Sequence, residues 1–331
     1  MLVSPRPTSL QPPVRPIPGT IVVAVGGNAL APPGEYPTIY DQFRHTRESL
    51  SVVVSLACEG WHIAVVHGNG PQVGDALVRN ELSRDVVEPL PLGVLVASTA
   101  GWIGYMIQQS LQNALKLAGV QRQVLTVITQ TVMKSDDPAL SHPTKPIGHQ
   151  LSPEEKEGLI SRGVAVGIDK AGKARRLSPS PEPYDVVEAD AVKQLVDEGK
   201  IVIAAGGGGP PVYEDENHRW EGVDAVVDKD RVAGILGRRL SATTLLILTN
   251  VDGVYRAWGT DDRLLLKTLT VGEAQEMIAR GELGSGSMKP KVEAAVDFVT
   301  GGGERAVIAE LASGLEAIGG KTGTTIMGER K

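Results

Sequence analysis

Three lysines stand in settings that could serve a migrating anionic group. Lys145 is framed by prolines in Pro143-Thr144-Lys145-Pro146-Ile147-Gly148, Lys229 by aspartates in Val227-Asp228-Lys229-Asp230, and Lys291 follows Pro290 in Gly286-Ser287-Met288-Lys289-Pro290-Lys291. Any single lysine is ordinarily a solvated surface charge. Nearby prolines, however, stiffen the backbone and lower the entropy of placing an ammonium group. Lys229 reads equally well as part of a local ion-pair cluster.

Glycines supply the complementary signal. Apolar runs at 21–25, 63–66 and 201–205 end in Gly26-Gly27-Asn28, His67-Gly68-Asn69-Gly70 and Gly206-Gly207-Gly208-Gly209. Bare backbone at strand ends exposes N–H groups to an anion. One such junction is a tight turn; three point to a sheet edge that grips phosphate. Phosphoryl transfer gives the lysines and glycines one purpose, because charge spreads over equatorial oxygens and the protein mainly positions and neutralises. A hydroxyl acceptor would need a base such as Asp. A carboxylate or carbamate acceptor would not, and the residues alone do not choose.

Other nucleotide and catalytic signatures are absent. Val25 is followed by Gly-Gly-Asn-Ala-Leu, not a dinucleotide fingerprint. Gly319-Gly320-Lys321-Thr322 lacks the first glycine of a Walker A loop, since position 315 is Leu315. Lys321-Thr322-Gly323 has no Ser-x-x-Lys partner. The six histidines lack zinc-binding spacing, and no metal-ligand set is expected.

The elements that must position these residues alternate. Strands are expected at 21–25, 62–66, 124–129, 201–205, 245–249, 306–309 and 324–327. Helices are expected at 43–58, 73–82, 99–117, 190–198, 230–240, 271–280 and 290–300. Alternation predicts an α/β fold with a mostly parallel sheet covered on both faces. Residues 136–184 break the rhythm and read as a lid-like excursion, because a structureless loop of that length is uncommon in a compact domain. The first nineteen residues contain six prolines and read as a disordered tail, leaving one domain from 20 to 331.

Composition narrows the class. Aromatics are only 4%, so the core must rest on Val, Leu, Ile and Ala, as in parallel α/β layers. A net charge of −6 argues against a general nucleic-acid or anionic-membrane surface. No apolar run approaches the ~18 residues that cross a bilayer. The single cysteine, Cys58, excludes an intrachain disulfide and is expected to be a small buried hydrophobe on a helix.

Six blocks together resemble the carbamate kinases of the amino acid kinase family. They are Val25-Gly26-Gly27-Asn28-Ala29, the stretch from His67 to Gly74, Pro143 to Gly148, Ala204 to Gly209, Glu221 to Asp230, and Gly286 to Ala295. They follow the family's order from about residue 20 to 327. The resemblance implies a three-layer α/β/α sandwich with a mostly parallel central sheet and a small protruding subdomain. It implies a cytoplasmic homodimer that transfers phosphoryl reversibly between ATP and carbamate, giving ADP and carbamoyl phosphate, with Mg²⁺ and a link to arginine metabolism.

By the same resemblance, Gly26, Gly27, Asn28, Gly68, Asn69 and Gly70 hold the carbamate or carbamoyl-phosphate end. Lys229 and Lys291 contact phosphate, Lys145 reaches the transferred group from the protruding subdomain, and Asp230 orients the lysines or meets magnesium through water. Gly206, Gly207, Gly208 and Gly209 lie near the nucleotide phosphates. Asn250, Val251, Asp252, Tyr255 and Met288 belong to the nucleotide pocket, and Lys289 is a surface neighbour. Gly93, Ala100 and Asn250 depart from the family's usual residues, mostly on the acceptor side. A kinase for another small carboxylate or amino acid, and a non-catalytic nucleotide or metabolite sensor, are the alternatives on the same fold.

Overall fold

The computed structural model describes residues 18–27, 30, 37–169, 172–283 and 287–329. The expected tail up to residue 17 lies outside the described residues. Gly19 is described, and its carbonyl accepts from the His62 N–H.

Eight strands form the central sheet. Their order is Thr268–Thr270, Thr324–Met327, Arg305–Glu310, Thr244–Thr249, Thr20–Val25, His62–His67, Ile201–Ala204 and Val124–Thr126. Every neighbouring pair is parallel except Arg305–Glu310 with Thr324–Met327. The central strands read as unbroken apolar runs because both faces are covered. Alternate residues of the first strand serve opposite cores. Val22 and Ala24 pack in one apolar cluster; Ile21, Val23 and Val25 pack in the other.

Among the described residues ten α-helices position the rest: α1 (Ile39–Ser49), α2 (Ser51–Glu59), α3 (Gly70–Ser83), α4 (Leu92–Leu117), α5 (Pro153–Ser161), α6 (Ala189–Asp197), α7 (Lys229–Arg239), α8 (Val271–Ala279), α9 (Met288–Thr300) and the short α10 (Gly314–Ile318). Helices α6 to α9 cover the Val22 face, while α2 and α4 cover the Ile21 face. This is the three-layer sandwich the residue pattern predicts.

Some boundaries differ from expectation. The helix expected at 43–58 is two helices, broken at Leu50 (φ −97°, ψ 3°). The first starts early because Thr38 and Asp41 form a capping box. Helix α4 begins at Leu92, not 99, with its first turns burying Leu92, Leu95 and Val96. The strand expected at 124–129 ends at Thr126. Cys58 is exposed, because α2 turns Val52, Val53, Leu56 and Ala57 inward and leaves it on the solvent side.

Three short strands within the excursion build a separate small sheet. Strand Ala174–Ser178 lies between Lys145–Ile147 and Val166–Ile168, antiparallel to both, and α5 lies in the same segment. The excursion leaves and returns through neighbouring strands, Thr131–Met133 and Pro183–Val186.

Phe298 on α9 is fully buried in a core otherwise poor in aromatics. Gly237 and Gly303 make room for its ring: a Cβ on Gly303 would lie 2.2 Å from Phe298 Cε1. Phe298→Ala should therefore cost about 3–5 kcal/mol, since neighbours already stripped to glycine have no side chain to fill the void. Urea unfolding checks this; a loss below about 1 kcal/mol would contradict it.

Candidate functional site

The glycine-ended strands Thr20–Val25, His62–His67 and Ile201–Ala204 are neighbours in the sheet. Their loops therefore emerge side by side at the carboxyl edge, where open parallel sheets bind ligands. A cleft of about 330 Å³ opens there, lined by Gly26, Gly27, Gly68, Asn69, Gly70, Gly207, Lys145, Lys229, Asp230 and Lys291. Asn250 and Val251 line it as well. Asn28 lies outside the described residues.

The floor is backbone packed on backbone. A Cβ on Gly68 would lie 2.7 Å from the Gly27 amide nitrogen. Gly207, with φ +68°, abuts Asn69, whose Nδ2 donates to Thr99 Oγ1 at 2.9 Å. Thr129 and Thr131 hold the glycine turn: Thr129 Oγ1 accepts from the Ala205 N–H, and Thr131 Oγ1 donates to the Gly208 carbonyl.

Gly206, Gly208 and Gly209 do not line the cleft. They are buried against protein, and a Cβ on Gly208 would meet the Val227 carbonyl oxygen at 2.6 Å. Asp252, Tyr255 and Met288 also lie outside the cleft lining. Tyr255 donates its hydroxyl to Asp252 and rests against Trp258; Met288 packs on the α6–α9 core. Lys289 is exposed and pairs with Glu293 at 3.7 Å.

The three lysines converge. Asp230 is buried, and its carboxylate accepts from Lys229 Nζ on one oxygen and from Lys291 Nζ at 2.9 Å on the other. Lys145 Nζ stands 3.5 Å from Asp228 Oδ2. Asp228 also caps α7, accepting from the Asp230 and Arg231 N–H groups. Three ammonium groups thus face two carboxylates, leaving one excess positive charge. The first turns of α3, α7 and the Ser287 end of α9 meet at the cleft, adding their positive dipole ends.

Burial alone would raise the Asp230 carboxyl; the two ammonium groups overcome it and hold it at about 2. Burial lowers the Lys229 ammonium, against the pull of Asp230. His67, beneath the Gly68 loop, is fully buried and pushed down to about 4, mainly by burial. Its Nδ1 meets the Gly68 carbonyl at 3.0 Å.

Two contributors were not singled out in the sequence as site residues, Asp228 and His67. Asp228 had a signal, since Asp-x-x at a helix start is a capping pattern. His67 had only its place before Gly68.

The fold and its cleft define an α/β/α protein with an anion-ready sheet edge. The model of the amino acid kinase family matches residues 19–310. A carbamate kinase of Halobacterium salinarum is 45% identical over 308 residues, spanning 92% of this chain and 97% of its own length. One from Pyrococcus horikoshii is 40% identical over 313 residues, spanning 94% and 99%. The structure of carbamate kinase from Giardia lamblia bound to AMP-PNP superposes with a TM-score of 0.87 at 32% identity, covering 94% of this chain and 99% of that one. The chain belongs to the amino acid kinase family, and within it to the carbamate kinases.

Asp230→Asn leaves two ammonium groups without their shared counter-ion, and should cost about 3–5 kcal/mol of stability; equal urea midpoints for variant and parent at pH 7 would contradict this. His67 binds a proton in the unfolded chain near pH 6.5 but in the folded chain only near 4. Stability should fall as pH drops through that window, by about 2 kcal/mol between pH 7 and 5. Asp230 does not contribute there, because its depressed pKa acts only below 3.8. His67→Gln should flatten the fall; an unchanged slope would assign it to other groups.

Proposed function

We propose that this protein catalyses reversible phosphoryl transfer between ATP and carbamate, giving ADP and carbamoyl phosphate. The observation that carries the reading is the convergence of Lys145, Lys229 and Lys291 on one cleft floored by glycine backbone. The identity of its relatives supports the same substrates. The Giardia protein's AMP-PNP supports the nucleotide assignment.

In this reading Gly26, Gly27, Gly68, Asn69 and Gly70 hold the carbamate end through backbone and amide hydrogen bonds. Lys229 and Lys291 stabilise the equatorial oxygens of the transferring group, with Asp230 fixing both heads so that little reorganisation is left. Lys145 comes from the small sheet and neutralises the opposite side. Asn250 and Val251 lie on the nucleotide side, with Gly207 toward the phosphates. Carbamate is ionised already, so no residue is needed as a general base.

Among the described residues no group of three or more His, Cys, Asp or Glu is arranged to hold a metal. Both site carboxylates are engaged by lysines. The fit is therefore to magnesium carried by the nucleotide phosphates, where it would offset phosphate charge. The homodimer, the cytoplasmic setting and the link to arginine metabolism remain part of this proposal.

A coupled assay of ATP formation from ADP, magnesium and carbamoyl phosphate tests the reading, with acetyl phosphate as a control. Carbamoyl phosphate should be used well above acetyl phosphate. Lys229→Ala should lower kcat by about 10²–10³-fold, as loss of one preorganised charge-stabilising donor does, with circular dichroism unchanged. Normal turnover in that variant would remove Lys229 from the chemistry. Faster use of an amino acid than of carbamate in the ATP direction would overturn the acceptor.

A further inference from the structure

Lys145 is the one site lysine not carried by the main sandwich, so something must set how far it reaches. The contact between Gly74 and Gly148 is positioned to do so. Gly74 lies in the second turn of α3, the helix whose first turn lines the cleft. A Cβ on Gly74 would lie 2.3 Å from Gly148 Cα and 3.0 Å from its nitrogen. The obstacle is backbone, so no rotamer change relieves it. Gly148 stands three residues after Lys145, directly beyond the strand Lys145–Ile147. Glycine inside a helix weakens it by roughly 0.5–1 kcal/mol relative to alanine, so a reason for Gly74 must lie outside α3.

Other contacts press the arm onto this point. Ile147 is buried among Val73, Leu77, Leu92, Leu95, Val96 and Val226, a cluster that joins α3, α4 and the approach to Lys229. Arg175 donates to the Gly148 carbonyl and pairs with Asp169 at 3.1 Å. Behind the contact an apolar cavity of about 190 Å³ opens, lined in part by Leu77, Leu151 and Leu159.

We infer that the backbone seat of Gly148 on Gly74 fixes the reach of Lys145 into the cleft, making Gly74 a positioning residue for the transfer step. The inference rests on the proposed function above. A methyl group at position 74 must lift Gly148 by about 1 Å to restore an ordinary contact, and a misplacement of that size can cost about 10²-fold in rate. Gly148 behaves differently. Its φ of +77° disfavours most side chains, yet a Cβ there would meet Gly74 Cα at an ordinary 3.5 Å. Asparagine tolerates that backbone region.

The test is a double-mutant cycle on kcat for ATP formation, read by single turnover at high enzyme concentration. Gly74→Ala should lower kcat about 10²-fold with KM for ADP within threefold of the parent. In a Lys145→Ala background the same change should cost less than about threefold, because the group it misplaces is gone. Amide hydrogen exchange should quicken at 145–148 in Gly74→Ala and remain unchanged in the strand Thr20–Val25. If Gly74→Ala fails to fold, Arg175→Lys, which loosens the hold on the Gly148 carbonyl, replaces it in the cycle with an expected loss of about tenfold, again absent without Lys145. Equal losses in both backgrounds would overturn the inference, as would unchanged exchange at 145–148. An inactive parent would instead sink the proposed function.

Discussion

The bridge from Asp230 to Lys229 and Lys291 is the constraint on which the rest depends. Two ammonium groups on different helices, α7 and α9, would repel each other in a buried place. A carboxylate between them offsets that repulsion and directs both heads to one spot. Its own burial is unfavourable, and without both partners it would take up a proton. The Asp230 carboxylate is thus charged where it stands because the two ammonium groups flank it. Such a cluster contributes little net stability compared with apolar packing. What it secures is geometry, two donors held at a fixed spacing with one positive charge left over for an anion.

The sheet order supplies the opposite wall. Three apolar strands lie adjacent and parallel, so their glycine ends share one edge. Without that adjacency the Gly27, Gly68 and Gly207 loops would be separate turns. Helices α3 and α7 start at this edge because crossover connections in a parallel sheet return a helix from each strand end. The positive helix ends, the bare amides and the lysines therefore reach the cleft by topology, not by separate local devices.

Much of this was legible in residues. Unbroken β-branched runs gave the buried strands, and the strand–glycine junctions gave the edge at which a ligand would sit. Other features depended on contacts distant in sequence. The Gly206–Gly209 run looks like a ligand loop, yet only Gly207 faces the cleft, since the other three accommodate His67, Val227 and Thr131. No local pattern separates a glycine required by a ligand from one required by a neighbouring backbone. Cys58 faces solvent against expectation for a related reason: small apolar residues fill both sides of a short helix such as α2, and periodicity does not choose the face. The long helix α4 begins earlier than its pattern suggests because Gly93 and Gly101 dilute its apolar stripe, while Leu92 and Leu95 pack in a cluster with Val73, Leu77, Ile147 and Val226, which are distant in sequence.

Asp228 ties the small sheet to the buried cluster. Its carboxylate caps α7 at the turn that begins with Lys229 and Asp230, and it is also the counter-charge for Lys145. An incoming phosphoryl group would compete with Asp228 for the Lys145 ammonium, while the capping bonds keep the carboxylate in place. In the proposed reading, Lys145 then exchanges one anion for another at the cleft. In the same reading Lys229 and Lys291 make no such exchange, because Asp230 accepts from both and leaves their remaining N–H bonds for the phosphoryl group. The division of labour follows from burial. The deep pair is held by Asp230, whereas the half-exposed Lys145 is held through the backbone contact of Gly148 with α3 and keeps only its side-chain freedom.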